Sequence, residues 1–253
     1  MTEISAEKVR ELREKSGAGL MDCKRALVAV SGHIVSKDET CGGVVELNCE
    51  TDFVARTDQF QNFLSSVVNQ LVANKVKDLS SLLSLKFEKS TVQEALAQLI
   101  AQLGENMGIR RVRLVTGTAG EKVGEYIHAG SKIGVLVRLK GEKSTSALAR
   151  EIAMHVAAMN PRYIHRSQVP ADVLEREKEI AKASPDLAGK PEAILEKILV
   201  GKLNRFYNEA CLVEQPFIKD PTGKKSVGDF LKENAAGSEI LEVCRFQVGE
   251  EVS

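Results

Sequence analysis

The sequence lacks the features that would tie it to a nucleic acid or to a membrane. Its 35 Lys and Arg residues are balanced by 35 Asp and Glu residues. General nucleic-acid binders carry a basic excess or a basic stripe, so we expect no direct nucleic-acid binding. No apolar run is long enough for a transmembrane helix, and charges are spread through the N-terminal stretch "MTEISAEKVRELREK", unlike a signal peptide. With ordinary apolar content, these absences predict a globular cytoplasmic protein with no membrane partner.

Cysteine and histidine are scarce and are not spaced as metal ligands. The five cysteines form no C-x-x-C pair, and the four histidines show no H-x-x-x-H spacing. Scattered reduced thiols are therefore favoured over disulfides or a zinc site, and we expect neither a metal nor a cofactor. His155 lies on the apolar side of its predicted helix, which favours a hydrogen-bonded core histidine over a ligand or a base.

Catalytic motifs are also missing. The chain has no phosphate-binding G-x-x-x-x-G-K-[ST] loop, no G-x-G-x-x-G after a strand and no G-x-S-x-G nucleophile turn. Paired acids such as Asp38 and Glu39 occur in charged stretches, where a solvated surface is the simpler interpretation. The sequence therefore indicates binding surfaces, and we expect a protein that is not an enzyme.

Local patterns predict an α+β fold that begins with a small helical unit. Ser5 can cap a helix over residues 6–15, and a Gly-rich break separates it from a second helix over residues 20–30. From Val35 onward, β-branched strands alternate with amphipathic helices. Strands are predicted over residues 41–50, 109–117, 131–140 and 240–250, and helices over residues 57–75, 91–107, 145–159, 171–183, 191–206 and 227–235.

Two regularities organise the predicted core. A strand, a polar turn and an amphipathic helix occur in "CGGVVELNCETDFVARTDQFQNFLSSVV" and recur in "SKIGVLVRLKGEKSTSALAREIAMHVAAMNP". This recurrence predicts a structural pseudo-repeat. The two charged helices around "SPDLAGKP" predict an inserted helical hairpin over about residues 172–208.

The stretch "ELNCETDFVAR" places an aromatic side chain where a polar turn is expected. In one interpretation, Thr51 caps the following helix and Phe53 packs beneath it as a hydrophobic staple. In the other, Thr51 and Asp52 fix a sharp turn and Phe53 projects outward as an anchor for a partner, as aromatic residues do at binding hot spots. The local pattern alone leaves both open.

Two long motifs resemble the signatures of the elongation factor Ts family. They are "LREKSGAGLMDCKRAL" near the N-terminus and "ELNCETDFVAR". Shorter similar blocks follow in the family's order: "GENMGIRR", "YIHAGSKIGVLV", "IAMHVAA", "QPFI" and "FQVGE". The resemblance covers nearly the whole chain. It favours the outward orientation of Phe53.

The resemblance implies an N-terminal three-helix module of the ubiquitin-associated type, then a core of two pseudo-repeated α+β halves with antiparallel sheets and the inserted hairpin. It places the module at residues 1–35, the first half at 36–130 and the second half at 131–253.

Family members are guanine-nucleotide exchange factors that bind elongation factor Tu and promote release of GDP. Carried over by motif, Thr51, Asp52, Phe53 and Val54 would disturb the partner's Mg²⁺ and phosphate site. Weaker partner contacts would come from the N-terminal motif and from the blocks around "QLGEN" and "YIHAG": Arg13, Leu20, Met21, Leu103, Gly104 and His128. For Leu103, core packing is an equal alternative.

The chain departs from the family at two places. Ser16 stands where the family usually has Thr. A basic, Ala-rich segment between the N-terminal module and the "VVELN" strand is missing, which is either a natural deletion or an omission from the sequence. Because Val35 is expected within a third helix, the pattern favours an omission at the Val35–Ser36 bond.

Two other function classes stay open at this stage. One is a scaffold that binds elongation factor Tu without exchange activity. The other is a thiol-dependent enzyme that uses Cys49 near Asp52.

Overall fold

The computed structural model of the protein describes residues 28–36, 39–128, 130, 132–182 and 192–250. The predicted helix over residues 6–15 and the first part of the predicted helix over residues 20–30 lie outside these ranges. The three-helix module therefore stays a prediction. No helix in the described ranges is both long and apolar enough to cross a membrane.

The first half of the described chain is a three-stranded antiparallel sheet with helices on one face. In chain order its elements are β1 (Val28–Val35), β2 (Cys41–Cys49), α1 (Asp52–Ala55), α2 (Asp58–Ala73), α3 (Leu79–Ser84), β3 (Lys86–Phe87), β4 (Ser90–Thr91), α4 (Val92–Leu103) and β5 (Gly108–Thr116). The strand order is β1-β2-β5, and β3 pairs only with β4. Side chains of β2, α1, α2 and α4 form one buried apolar cluster.

The second half repeats this plan. Its elements are β6 (Glu121–Ile127), β7 (Ile133–Lys140), α5 (Ser146–Met159), α6 (Ala171–Lys182), α7 (Glu192–Ala210), α8 (Val227–Asn234) and β8 (Glu239–Gln247), with short 3₁₀ turns before α6 and after α7. The antiparallel strand order is β6-β7-β8. Helices α6 and α7 contact each other, as the predicted hairpin requires. The chain is thus α+β, as predicted.

The repeat extends to an irregularity in strand register. In each half the central strand leads toward a long helix that packs on its sheet. The pairing of β2 with β5 shifts between Glu46 and Leu47, and the pairing of β7 with β8 shifts between Arg138 and Leu139. Both shifts follow the sixth residue of the central strand. The chain passes from the first sheet to the second between residues 116 and 121, ahead of the predicted boundary at residue 130. The division into separate domains stays a prediction.

The strand β1 corrects the prediction of a helix through Val30. Residues Val28–Val35 pair along the whole of β2, from Val28 opposite Cys49 to Val35 opposite Gly42. The helical spacing of Leu27 and Val30 is overridden because the β-branched residues here complete a sheet edge. The Ser36 amide donates to the Cys41 carbonyl at 2.7 Å, which closes a hairpin. The Val35–Ser36 bond therefore belongs to a strand-to-turn connection and not to a third helix, which removes the reason for placing an omission at this bond.

Helix ends follow local chemistry. Capping boxes begin α4, between Thr91 and Glu94, and α8, between Ser226 and Asp229. Helix α4 ends at Leu103, before the predicted residue 107, because Gly104 adopts the left-handed conformation at φ 70° that closes many helices.

Three glycines let the layers approach closely. A Cβ on Gly42 would lie 2.9 Å from Val123 of the second sheet, whereas a Cβ on Gly43 would lie 2.7 Å from Val72 of α2. The two neighbours thus face opposite sides of the first sheet, with α2 on one side and the second sheet on the other. In the second sheet, a Cβ on Gly124 would meet backbone atoms of α5 at 2.5 Å. The result is a helix–sheet–sheet–helix stack.

The close approach of Gly124 to the backbone of α5 gives a stability prediction. Gly124→Ala is expected to lower the free energy of unfolding by about 3 kcal/mol, the upper end for overpacked sites, because the added methyl meets backbone that cannot rotate away. The matched control is Gly108→Ala in β5, where a Cβ would find nothing within 4 Å and where we expect little change. Denaturant unfolding of both variants measures the difference, and equal stabilities would contradict the close packing.

Intact mass tests the missing segment. The 253 residues weigh 27.6 kDa. If a segment is absent from the sequence upstream of the β1–β2 hairpin, the protein purified from its natural source will exceed this mass, and peptide mapping will place the additional residues before β1. A mass of 27.6 kDa would establish a natural deletion.

Candidate functional site

The "CETDFVAR" stretch forms a sharp turn at the end of β2. Thr51 is extended, at φ −131° and ψ 150°, and its side chain accepts a hydrogen bond from the Val54 amide at 3.3 Å. This is an N-cap, and it begins the one-turn helix α1. The capping role of Thr51 is therefore confirmed, although the helix it caps is only four residues long.

Phe53 projects away from the protein. Its side chain is 86% exposed, the most exposed large apolar residue in the described ranges, whereas Val54 and Ala55 are buried in the first core cluster. Successive residues of an α-helix point about 100° apart. Burial of Val54 and Ala55 therefore turns Asp52 and Phe53 outward, and the hypothesis that Phe53 packs as a staple is wrong.

The C-terminal end of α1 is hydrogen-bonded to the start of α2. Thr57 caps α2 by accepting from the Phe60 amide at 3.3 Å, and its hydroxyl donates to the Val54 carbonyl at 2.8 Å. The Gln61 side-chain amide donates to the Ala55 carbonyl at 2.6 Å. These bonds satisfy carbonyl groups that a one-turn helix leaves free. The turn that displays Phe53 is thus fixed where it meets α2.

The N-terminal end of α1 is hydrogen-bonded to the loop between α4 and β5. The Glu105 carboxylate accepts from the Thr51 amide at 3.0 Å and from the Thr51 hydroxyl at 2.5 Å. Beside it, the Asn106 side-chain amide donates to Glu50 at 2.7 Å. The sequence assigns no role to Glu105 or Asn106; their place in the family-like block "GENMGIRR" is the only signal that could have singled them out.

The other predicted contact residues are placed differently. Leu103 is partly buried against the first core cluster, in agreement with the packing alternative. Gly104 is exposed, and it ends α4 directly before Glu105. His128 is exposed at the end of β6, where its Nδ1 lies 3.2 Å from the Tyr126 hydroxyl. Arg13, Leu20 and Met21 lie outside the described residues.

The Cys49 thiol is unsuited to nucleophilic catalysis. It is buried and donates to the Thr51 carbonyl at 3.3 Å. Burial, reinforced by the negative charge of Glu105, raises the pKa of this thiol to about 11. Because the reactive species is the thiolate, the group is inert near neutral pH, which argues against the thiol-enzyme hypothesis.

His155 is a hydrogen-bonded residue of the core. His155 is fully buried; its Nδ1 accepts from the Ile218 amide at 3.2 Å and its Nε2 lies 2.9 Å from the Gln215 side-chain oxygen. Burial lowers its pKa, so it stays neutral and hydrogen-bonded, as predicted for a core histidine. Within the described ranges, no group of three or more His, Cys, Asp or Glu residues could hold a metal ion.

The burial of Cys49 gives a chemical prediction. In the native protein near neutral pH, iodoacetamide is expected to leave Cys49 unmodified, because the thiol is both inaccessible and protonated. The control is the same reaction in denaturant, which should label the residue fully. Peptide mass mapping reads out both samples, and rapid native labelling would restore the thiol hypothesis.

Comparisons with known proteins identify the family of the chain. Residues 50–250 match the family described as Elongation factor TS. The chain is 40% identical to elongation factor Ts of Nautilia profundicola, over 99% of this chain and 94% of the relative. It is 40% identical to elongation factor Ts of Saccharophagus degradans, over 98% of this chain and 92% of the relative.

These alignments also bear on the missing segment. The alignment with the Saccharophagus degradans protein extends over 278 positions, 25 more than the 253 residues of this chain. At least that many positions of the relative therefore have no counterpart in this chain. With a family match over most of its length and relatives aligned nearly end to end, the chain belongs to the elongation factor Ts family.

Proposed function

We propose that this protein is a guanine-nucleotide exchange factor that binds elongation factor Tu, both GDP-bound and nucleotide-free, and promotes release of GDP during translation elongation in the cytoplasm. The observation that carries the proposal is Phe53, an aromatic side chain 86% exposed on a turn tied down at both ends. Membership of the elongation factor Ts family supplies the partner.

The thermodynamic requirement is linkage. A factor accelerates exchange only if it binds the nucleotide-free partner more tightly than the nucleotide-bound partner, and nucleotide then weakens the factor by the same ratio. No covalent bond has to form or break. The exposed Phe53 side chain offers an apolar contact to a partner, and the buried Cys49 thiol offers no nucleophile. In this proposal the protein therefore acts by binding and is not an enzyme.

Phe53 would act as a wedge against the nucleotide site of the partner. Mg²⁺ requires near-ideal octahedral geometry, so a small displacement of its surroundings is enough to release it and to weaken phosphate binding. In this proposal Thr51 caps the turn, Asp52 lies beside the wedge on the exposed face, and buried Val54 fixes the orientation of the turn from below.

Further contacts would hold the partner while the wedge acts. Gly104 and His128 are exposed in the described structure, so partner contacts are open to them. Leu103 offers only the part of its surface that the core leaves free. Arg13, Leu20 and Met21 would grip the nucleotide domain of the partner from the N-terminal module.

Phe53→Ala separates a wedge from a structural residue. Burial of a full apolar side chain in a partner contributes about 1.5–3 kcal/mol, so GDP release at sub-saturating factor is expected to slow by about ten- to a hundredfold. The melting temperature should hardly change, because the ring contacts little of its own protein. Stopped-flow release of a fluorescent GDP analogue and thermal melting on the same sample measure both quantities.

Two further variants sharpen this test. Phe53→Leu keeps apolar bulk and should retain more activity than Phe53→Ala, while Asp52→Ala should do less harm because it leaves the wedge in place. Binding of elongation factor Tu without any acceleration by the unmodified protein would favour the scaffold alternative. Loss of melting temperature in Phe53→Ala, with exchange per folded molecule intact, would overturn the wedge.

A further inference from the structure

Glu105 is held opposite the start of the Phe53 turn by the end of α4. Gly104, at φ 70°, closes the helix, and the chain turns so that the next residue reaches Thr51. One carboxylate then accepts both hydrogen-bond donors of Thr51, the amide at 3.0 Å and the hydroxyl at 2.5 Å. The two residues are 54 positions apart in sequence, so this is a tertiary contact between the α4–β5 loop and the end of β2.

These bonds are of the strong kind. A hydrogen bond to an ionised carboxylate is about twice as strong as one between neutral groups, and both bonds here are partly buried. The Thr51 carbonyl is engaged as well, by the Cys49 thiol at 3.3 Å. Every polar group of Thr51 is therefore bonded, and Asn106 ties Glu50 to the same loop at 2.7 Å.

The α1 turn needs such support. A four-residue helix closes too few hydrogen bonds to offset the cost of ordering its backbone, so it is stable only where its surroundings hold it. Thr57 and Gln61 hold its C-terminal end, and Val54 and Ala55 hold its buried face. At its N-terminal end, Thr51 and the loop of Glu105 hold it.

We propose that Glu105 is a positioning residue for nucleotide exchange, acting through Thr51 to hold Phe53 in the orientation in which it enters the partner. This inference rests on the proposed function, because it concerns the delivery of Phe53. A turn that is ordered before binding loses less conformational freedom when the partner closes on it. A misplacement of about 1 Å at such a site can lower a rate about a hundredfold.

Three variants test the contact itself. Glu105→Ala removes both acceptors and is expected to slow GDP release about tenfold, within the range that misplacement produces. Glu105→Gln keeps one acceptor oxygen and should recover part of the rate. The matched control is Glu94→Ala at the other end of α4, where Glu94 accepts from the Thr91 amide at 2.9 Å. Loss of this cap also destabilises α4, but it should leave the exchange rate per folded molecule unchanged.

A double-mutant cycle with Phe53→Ala shows whether Glu105 acts through the wedge. If it does, Glu105→Ala slows exchange in the unmodified background and adds little in the Phe53→Ala background. Hydrogen exchange of the Thr51 and Val54 amides should accelerate in Glu105→Ala and stay unchanged in Glu94→Ala. A purely structural role would instead leave the rate of GDP release per folded molecule unchanged in Glu105→Ala.

The outcomes distinguish the two proposals. If Phe53→Ala slows exchange but Glu105→Ala does not, or if the two effects simply multiply, the positioning role is overturned while the wedge stands. An equal slowing in Glu94→Ala also overturns it, since the loss would then follow from weakening α4. If Phe53→Ala leaves exchange unchanged, the wedge fails and the positioning role fails with it.

Discussion

The burial of β2 on both faces is the constraint on which the rest of the structure depends. All but one of its nine residues are buried, although the strand contains a glutamate. Odd-numbered residues such as Val45 and Leu47 face the helices, and Val44 faces the second sheet. Consecutive glycines at Gly42 and Gly43 let a neighbouring layer approach on each side. A strand buried on both faces cannot slip in register without moving apolar groups into the wrong layer.

The buried charge of Glu46 sets the register of β5. Arg111 pairs with Glu46 across the sheet, and the register shift leaves Arg110 as the extra residue beside it. Both guanidinium groups reach the carboxylate, at 2.6 Å from Arg111 and 3.0 Å from Arg110. Removal of either arginine would leave a buried carboxylate with incomplete compensation, which is costly. The bulge thus has an electrostatic reason.

In the second half, an arginine takes the place of the glutamate in the central strand. Arg138 occupies the position in β7 that Glu46 has in β2, and it pairs with Glu121 at 2.8 Å and Glu242 at 3.1 Å. Glu242 also pairs with Arg113 of the first sheet at 2.9 Å. The pseudo-repeat therefore shares a geometry, a bulge beside a charged residue of the central strand, while the sign of that charge differs. Glu46 is fully buried, whereas Arg138 is partly exposed. A comparison of residue types alone would not find this shared geometry.

Sequence patterns predicted what is local and left out what is tertiary. The helices predicted over residues 91–107 and 227–235 begin within one residue of α4 and α8, because the capping groups that start them lie within one turn. Strand β1 was taken for helix, because its pairing with β2 outweighs the apolar spacing that continues from the preceding segment. Strand β6 was missed because Gly124 interrupts its alternation, and only the contact with α5 explains that glycine. The hydrogen bonds from Thr51 to Glu105 depend on the path of the loop that joins α4 to β5, and no local sequence pattern predicts that path.

The Phe53 turn follows from these constraints acting together. The ion pairs of Glu46 fix β5 against β2, and β5 begins only a few residues after Glu105. The same pairing therefore brings the α4–β5 loop to the end of β2, where Thr51 begins α1. An exposed phenylalanine contributes little to the stability of its own protein, so its orientation has to come from its neighbours. Under the proposed function, those neighbours leave the apolar contact free energy of Phe53 available to the partner. If the turn could collapse and bury the ring within its own protein, burial of Phe53 would stabilise that protein and would no longer contribute to binding of the partner.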